Sequence, residues 1–312
     1  MTLEQLRIFL AVVEHQHFTR AAEELYITQP AVSAAIQSLE KEYSVKLFHR
    51  VGRRIEITDA GRILSLEARK ILDQVAVTER GLRELNGLQR GELRIGSSLT
   101  VGNYWLPEKI SQFKSAYPGI VVECTLANAE EIGEGTASGL FDLGLVTGTL
   151  KPSLQDSLEP QEVGHDRLKI IVGRYHPWYK RPQITIDELH QTSWVMRESG
   201  SGTQQMFEQA LQGWGIDPST LTVDLVLTSS EMVKAVVESG SGAAAISEMM
   251  IQKELQLGTL GAVQVMDEQL AKLRPLEIAQ AVVLLKHRQR FQTKLAIAFS
   301  EMLTQSQMNV VT

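Results

Sequence analysis

Apolar residues fall at Leu3, Leu6, Leu10 and Val13, with Phe9 beside them and Glu4, Gln5 and Arg7 between, a spacing that predicts a helix over 3–13. Thr19 offers an N-cap for a second short helix, Arg20 to Leu25, in which Ala21 and Ala22 permit close approach of a neighbour. Tyr26 and Ile27 break it. Thr28 then caps a third helix that carries Pro30 in its first turn, where the backbone N–H has no partner to lose. Val32, Ile36 and Leu39 form its inward stripe, leaving Gln29, Ser33, Ala34, Gln37 and Ser38 outside. Two short strands follow, Phe48 to Arg50 and Ile55 to Ile57, around a turn at Gly52. From Thr58 a long helix runs to a stop at Gly87, with Leu64, Ala68, Ile71, Val75, Thr78, Leu82 and Leu85 spaced alternately by four and three. An amphipathic helix lying on its own domain would show the same stripe, but about 42 Å over ~28 residues exceeds what a small domain needs, which favours a dimer-forming coiled coil.

Beyond Gly91 strand and helix patterns alternate. Strands are expected at Glu92–Ser97, Ile120–Ala127, Phe141–Val146, Leu168–Gly173, Trp194–Met196, Val223–Leu227 and Ala243–Ile246. Helices are expected at Tyr104–Tyr117 and Glu130–Ser138 and from Thr203, Glu231 and Glu248. Short Val/Ile/Leu-rich strands in this order describe an α/β domain with mostly parallel sheets.

Composition divides the chain at the same place. Residues 1–90 hold thirteen basic and twelve acidic side chains, a balance of +1, which leaves −7 for the remainder of a chain at −6. All four Trp and nineteen of the 23 Gly lie beyond residue 90. With 312 residues, 43% hydrophobic and 22% charged, the chain has the length and composition of two globular domains. No apolar run approaches the ~18 residues of a membrane span. The run Ile8 to Val13 has no small-residue cleavage site after it, so no signal peptide is evident and a cytoplasmic location is expected. Cys124, the single cysteine, has no internal disulfide partner and reads as a core residue of its strand.

Two short helices joined by a tight turn, the second with a small and amide-bearing outer face, read as a helix-turn-helix. Thr28, Gln29, Pro30, Ser33 and Gln37 are its candidate DNA contacts, since amides and hydroxyls suit base edges. An ordinary three-helix packing unit has the same pattern, and the segment behind it decides between the two. Lys41, Lys46, Arg50, Arg53 and Arg54 against Glu42 give +4 across residues 41–54. A two-stranded wing tipped with Arg50, Arg53 and Arg54 suits phosphates or a minor groove.

Phe18-Thr-Arg-Ala-Ala22, Ile27-Thr-Gln-Pro-Ala-Val-Ser33, Leu39-Glu, Leu47-Phe-His-Arg50 and Ile57-Thr-Asp-Ala-Gly61 resemble the LysR-type transcriptional regulators, without gaps through residues 3–61. The resemblance implies a winged helix-turn-helix over 1–58 with the helix from Gln29 as reader and a linker and dimerisation helix over 59–87. Leu64, Ile71, Val75 and Leu82 would form the dimer seam, inside a homodimer or homotetramer. It further implies an effector-binding domain over 91–312, similar to periplasmic solute-binding proteins. Two Rossmann-like subdomains, about 91–163 with 267–303 and about 164–266, would flank a cleft. One departure stands out: Ala34-Ala35 occupies a place where the family commonly carries a basic or long polar pair.

Small polar loops recur where strands feed helices, at Ser97-Ser-Leu-Thr100, Thr147-Gly148, Glu198-Ser-Gly-Ser-Gly-Thr203 and Ser229-Ser230. Helix capping alone accounts for any one of them. Ligands of α/β sheets sit off the carboxyl ends of the strands, and helix N-termini offer N–H donors to anions. On the resemblance, the effector cleft takes Ser98, Thr100, Asn128, Thr147, Ser201, Thr203 and Ser230. These loops hold no Lys or Arg except Arg197, so a small anion held by neutral donors is expected. No cofactor or metal is expected. RNA polymerase is a further partner of such a regulator, and no membrane is.

Enzyme chemistry finds no support. Gly200-Ser-Gly202 lacks the outer glycines of a nucleophile elbow, and neither a phosphate-binding Gly-Lys loop nor a dinucleotide fingerprint is present. The competing reading is a small-molecule binding protein or enzyme built on 91–312, with an N-terminal module serving only dimerisation. Arg53-Arg54 and the gapless 3–61 match favour a ligand-responsive DNA-binding regulator.

Overall fold

The computed structural model describes residues 1–51, 54–84, 91–267 and 274–308. The chain forms two compact units, Met1–Leu82 and Arg83–Thr312.

The first unit opens with α1 (Leu3–His15), closed at its start by a capping box between Thr2 and Gln5. Leu6, Ile8, Phe9, Ala11 and Val12 are buried, whereas Leu3 is 40% exposed, because the helix begins beyond the edge of the small core. α2 (Phe18–Glu24) starts two residues earlier than expected: the imidazole of His17, and not Thr19, accepts the Thr19 and Arg20 amides. α3 (Gln29–Tyr43) is capped by Thr28, and Val32, Ile36 and Leu39 are buried on α1 and α2. β1 (Phe48–Val51) and β2 (Arg54–Ile57) pair antiparallel, with Arg50 opposite Ile55 and Val51 opposite Arg54. The Gly52 turn and Arg53 lie outside the described residues. The Thr58 hydroxyl accepts the Gly61 amide at the start of α4 (Asp59–Glu84), and Gly87 and Leu85 lie outside the described residues.

The seam expected on α4 needs correction at its start. Ala68 is fully buried, and Leu64 and Leu72 pack with it against the core that α1–α3 share. Positions 64, 68 and 72 repeat every fourth residue and so face one way, into their own unit. Ile71 (38%) and Leu82 (60%) stay exposed, as do Ile63 and Leu66, and Val75 is half-buried. The Thr78 hydroxyl donates back to the Gln74 carbonyl at 2.8 Å.

The second unit runs β3 (Gly91–Ser98), α5 (Leu106–Ala116), β4 (Ile120–Ala127), α6 (Ala129–Ser138), β5 (Leu143–Thr147), β6 (Leu158–Gly173), β7 (Gln183–Thr185), β8 (Ser193–Arg197), α7 (Gly202–Gly213), β9 (Thr222–Leu227), α8 (Ser230–Glu238), β10 (Ala243–Ser247), α9 (Gln252–Leu257), β11 (Leu260–Asp267), β12 (Arg274–Leu276), β13 (Ile278–His287) and α10 (Lys294–Met308). Its sheet runs β4-β3-β5-β13-β6-β10-β8-β9, with β11 also on β6.

Pairing is parallel at β3–β4, β3–β5 and β8–β9, as expected, but antiparallel wherever β6 or β13 takes part. The expectation of mostly parallel sheets therefore holds along β4-β3-β5 and β10-β8-β9 and fails along β6 and β13, on which β5, β10 and β11 pair antiparallel within their own lobes. β6 runs sixteen residues: Leu158–Leu168 lies on β13, and its far end, Leu168–Gly173, lies on β10 and β11. The expected division at 163/164 thus falls within one strand that both lobes share. One lobe packs Leu93, Ile95, Phe113, Leu143 and Phe299, the other Trp178, Ile170, Trp194, Phe207 and Leu211.

Cys124 is exposed, not core, because β4 is the last strand of its edge and has one open face. Among the described residues no helix is long and apolar enough to cross a membrane.

Candidate functional site

On the first unit, Thr28 accepts the Ala31 amide, and Pro30 sits in the opening turn of α3. Gln29 donates its carboxamide to the Ser33 hydroxyl at 2.8 Å, so these two sit side by side, one turn apart, on the outer face with Gln37. Ala35 packs against the core while Ala34 is exposed, so the Ala34-Ala35 departure removes one outward contact position and not two. Lys46 is tied to Glu40 at 2.6 Å, and the other Glu40 oxygen accepts the Leu47 amide at 2.9 Å. That carboxylate, just outside the segment counted above, offsets one of its positive charges.

On the second unit, the candidate effector residues converge. Ser98 ends β3, Thr147 ends β5, and Thr100 precedes a single turn of π-helix at Val101–Trp105, a form of helix frequent at functional sites. Asn128 caps α6, Ser201 caps α7 and Thr203 lies in the first turn of α7. Ser98, Thr100, Asn128, Thr147, Ser201 and Thr203 line one cavity, together with Arg197 and Gly202. Asn128 is committed to capping, its oxygen accepting the Glu131 amide at 2.9 Å. Ser201 likewise accepts the Gln204 amide. The Ser98 hydroxyl, by contrast, is buried with no hydrogen-bond partner. Leaving such a group unpaired costs ~1–3 kcal/mol, which a bound acceptor would recover.

Ser230 does not line the cavity; its hydroxyl accepts from Arg197 Nη1 behind the wall. Arg197 is the site residue that reading the loops undervalued. It is 7% exposed, and Glu198 grips it through Nε at 2.7 Å and Nη2 at 2.8 Å. The expectation of purely neutral donors is corrected: a buried guanidinium stands in the wall, its charge offset by a bidentate carboxylate. Its one sequence signal was the Arg-Glu pair at the end of a strand. The first amides of α7, which the helix itself leaves unused, add partial positive charge at Gly202 and Thr203.

The lobes meet around this cavity. Thr149 and Gln205 exchange reciprocal bonds of 2.9 and 2.7 Å, and the Glu130 amide donates to the Gly200 carbonyl at 3.2 Å. On another side the Tyr104 hydroxyl bonds Glu231, and Lys234 donates to Tyr104 at 3.4 Å. Thr100 reaches the Met250 sulfur at 3.6 Å. What remains inside is about 10 Å³, roughly the room of one water.

A helix-turn-helix with a β-wing, carried on the same chain as a two-lobed α/β sensor, defines a ligand-responsive transcription regulator. The chain belongs to the LysR family: residues 3–62 match the bacterial regulatory helix-turn-helix protein, lysR family, and residues 86–307 match the LysR substrate binding domain. It is 34% identical over 300 residues to a probable RuBisCO transcriptional regulator of Trichormus variabilis, covering 96% of this chain and 87% of that one. A protein of the same description from the alga Gracilaria tenuistipitata is also 34% identical, over 96% of this chain and 94% of that one.

Among solved structures, full-length CbnR complexed with its target DNA superposes with a TM-score of 0.71 at 19% identity, covering 98% of this chain and 100% of that one. The regulatory domain of Synechocystis CcmR in complex with 2-PG superposes at 0.61 and 24% identity, covering 71% of this chain and 99% of that one. The protein is therefore a LysR-type DNA-binding transcription regulator with an effector-binding domain, in a family of regulators and not enzymes. The competing reading of a sensor fold with a merely dimerising N-terminal module gives way to this one.

Proposed function

We propose that the protein switches transcription in response to a compact oxyanion bound between the two lobes of its sensor. The observation that carries this is the Ser98 hydroxyl, buried and unpartnered in a cavity it shares with Thr100, Thr147, Ser201, Thr203 and Arg197. Hydroxyls, start-of-helix amides and a carboxylate-backed guanidinium form a donor set for an anion, and the 2-PG complex of CcmR supports the same chemistry. Binding that favours one lobe arrangement over another shifts the protein between DNA-binding states by its differential affinity.

On the DNA side, Gln29, Ser33 and Gln37 read base edges, Thr28 and Pro30 set the entry of α3, and Arg50, Arg53 and Arg54 hold phosphates. Leu82, with Ile71 and Val75, pairs two copies of α4 so that two reading heads engage two half-sites of a homodimer or homotetramer. The protein acts in the cytoplasm, with RNA polymerase as a further partner.

Thr100→Val and Thr203→Val preserve side-chain volume and remove the hydroxyl donor. Calorimetry of sulfite, sulfate, phosphate, 2-PG and small carboxylates should find an anion that binds the parent and binds each variant ~1–3 kcal/mol more weakly. Parent-like titrations by both variants, or binding of an apolar or cationic ligand instead, would reduce these loops to helix caps.

A further inference from the structure

The turn between α2 and α3 is built against its own interest. Tyr26 has φ of 54°, the left-handed region, and its side chain is 96% exposed. The bonds around it form a Schellman turn: the Tyr26 amide donates to the Glu23 carbonyl at 3.2 Å and the Ile27 amide to the Ala22 carbonyl at 3.0 Å. Glycine is the usual residue at this position because a Cβ is strained there, and asparagine is the usual substitute. A tyrosine bears that strain, and a ring this exposed recovers almost nothing by packing.

Its location indicates what it recovers. Thr28, Gln29 and Pro30 are all exposed, so Tyr26 continues the outer surface on which α3 begins. It precedes Gln29 by three positions, at most roughly 11 Å of chain. The major groove is about 12 Å wide, so with Gln29 at a base edge the flanking phosphates fall within reach of a tyrosine side chain. Ala34 has meanwhile removed one outward contact from the same helix.

We propose that the Tyr26 hydroxyl donates to a DNA backbone phosphate beside the groove that α3 reads. The inference rests on α3 being the reading helix. A neutral hydroxyl displaces no counterion, so the contact adds affinity without adding to the salt slope, unlike an arginine. A phosphate carries no sequence information, so the gain is the same on every duplex.

The test uses the full-length chain, a duplex selected by it from a random pool, and a random duplex. Tyr26→Phe should bind both duplexes roughly threefold to tenfold more weakly, the net value of one typical hydrogen bond at a solvent-exposed site, with the slope of log K against log salt unchanged. Tyr26→Gly should bind at least as weakly as Tyr26→Phe while its Tm stays level or rises, since the strained backbone is relieved. Affinity and stability moving in opposite directions is a signature that a structural role for Tyr26 does not produce.

Parent-like binding by Tyr26→Phe overturns the phosphate contact. If Gln29→Ala still changes sequence preference in that case, the reading helix stands and only this inference falls. If Gln29→Ala leaves preference unchanged, both fall. A change in sedimentation of Tyr26→Gly would assign the ring to a protein contact, and that also overturns the proposal.

Discussion

Gly202→Ala should wedge the sensor open. An ideal Cβ at residue 202 would stand 2.0 Å from the Thr147 carbonyl oxygen and 2.6 Å from its carbon, across the seam between the lobes. Ordinary carbon contacts begin near ~3.5 Å, so the α7 start and the β5 end must separate by more than an ångström. Both obstacles are backbone, which gives less readily than a side-chain end. Overpacking of this kind costs ~1–3 kcal/mol. The lobes can avoid it by parting, so the cost falls on the closed form alone, which weakens anion binding by roughly 5- to 150-fold. Gly213, in the same helix, is the control, because a Cβ there meets nothing within 4 Å. Gly213→Ala should leave binding untouched and stabilise the chain by ~0.5–1 kcal/mol. Calorimetry with the anion found for the parent, beside thermal melts of all three proteins, measures both effects. If Gly202→Ala binds as tightly as the parent, closure at Thr147 is not part of ligand capture and the reasoning fails.

Three further outcomes are expected. Replacing both Arg53 and Arg54 by Ala should weaken every duplex alike and flatten the salt slope by about 2 units, whereas changes at Gln29 or Ser33 should alter preference by ~1–3 kcal/mol per lost base contact; an unchanged slope in anisotropy titrations would remove the wing from the phosphates. Leu82→Asp should dissociate the oligomer in sedimentation and cost up to ~10²–10⁴-fold in operator binding, because a carboxylate is buried without a partner and the second half-site is lost; an unchanged oligomer would refute the seam. Asp166, on β6 and bonded by the Gln280 carboxamide, has its carboxyl pKa raised by burial against hydrogen bonds that lower it. The folded state therefore holds that proton more firmly than the unfolded chain, and the penalty for the charged form is relieved as pH falls through the folded pKa. In thermal melts the parent should gain on Asp166→Asn as the pH is lowered, and a constant difference would contradict the linkage.

Much of this arrangement was legible in the residues. Thr28, Pro30 and the Val32–Ile36–Leu39 stripe act locally, so their pattern predicts α3 and places Gln29 and Ser33 outside. The same holds for the Glu198–Thr203 loop, whose Ser201 starts α7, whereas Asn128, the cap of α6, came only from the family resemblance. What escaped was decided elsewhere in the fold. The first ten residues of β6 are mixed polar and apolar and read as a connection, yet they are held by β13, more than a hundred residues away in sequence. Ala68 fits a heptad as well as a core position, and only the packing of α1 and α3 assigns it to the core. Arg197 reads as the end of an ordinary strand until Glu198 and Ser230 fix its guanidinium in the cavity wall.

The central claim is that an anion between the lobes governs what the reading heads do on DNA. It is tested most directly by following one selected, end-labelled duplex by fluorescence resonance energy transfer as it binds the full-length protein, with and without the anion identified by calorimetry. The account predicts that the anion, at the concentration that half-saturates the parent, changes affinity or bend for the parent, and that Thr100→Val binds the duplex like the parent without anion but loses most of the response at that concentration. An anion that binds the sensor and leaves both affinity and bend of the parent unchanged, or a response that survives intact in Thr100→Val, would contradict it.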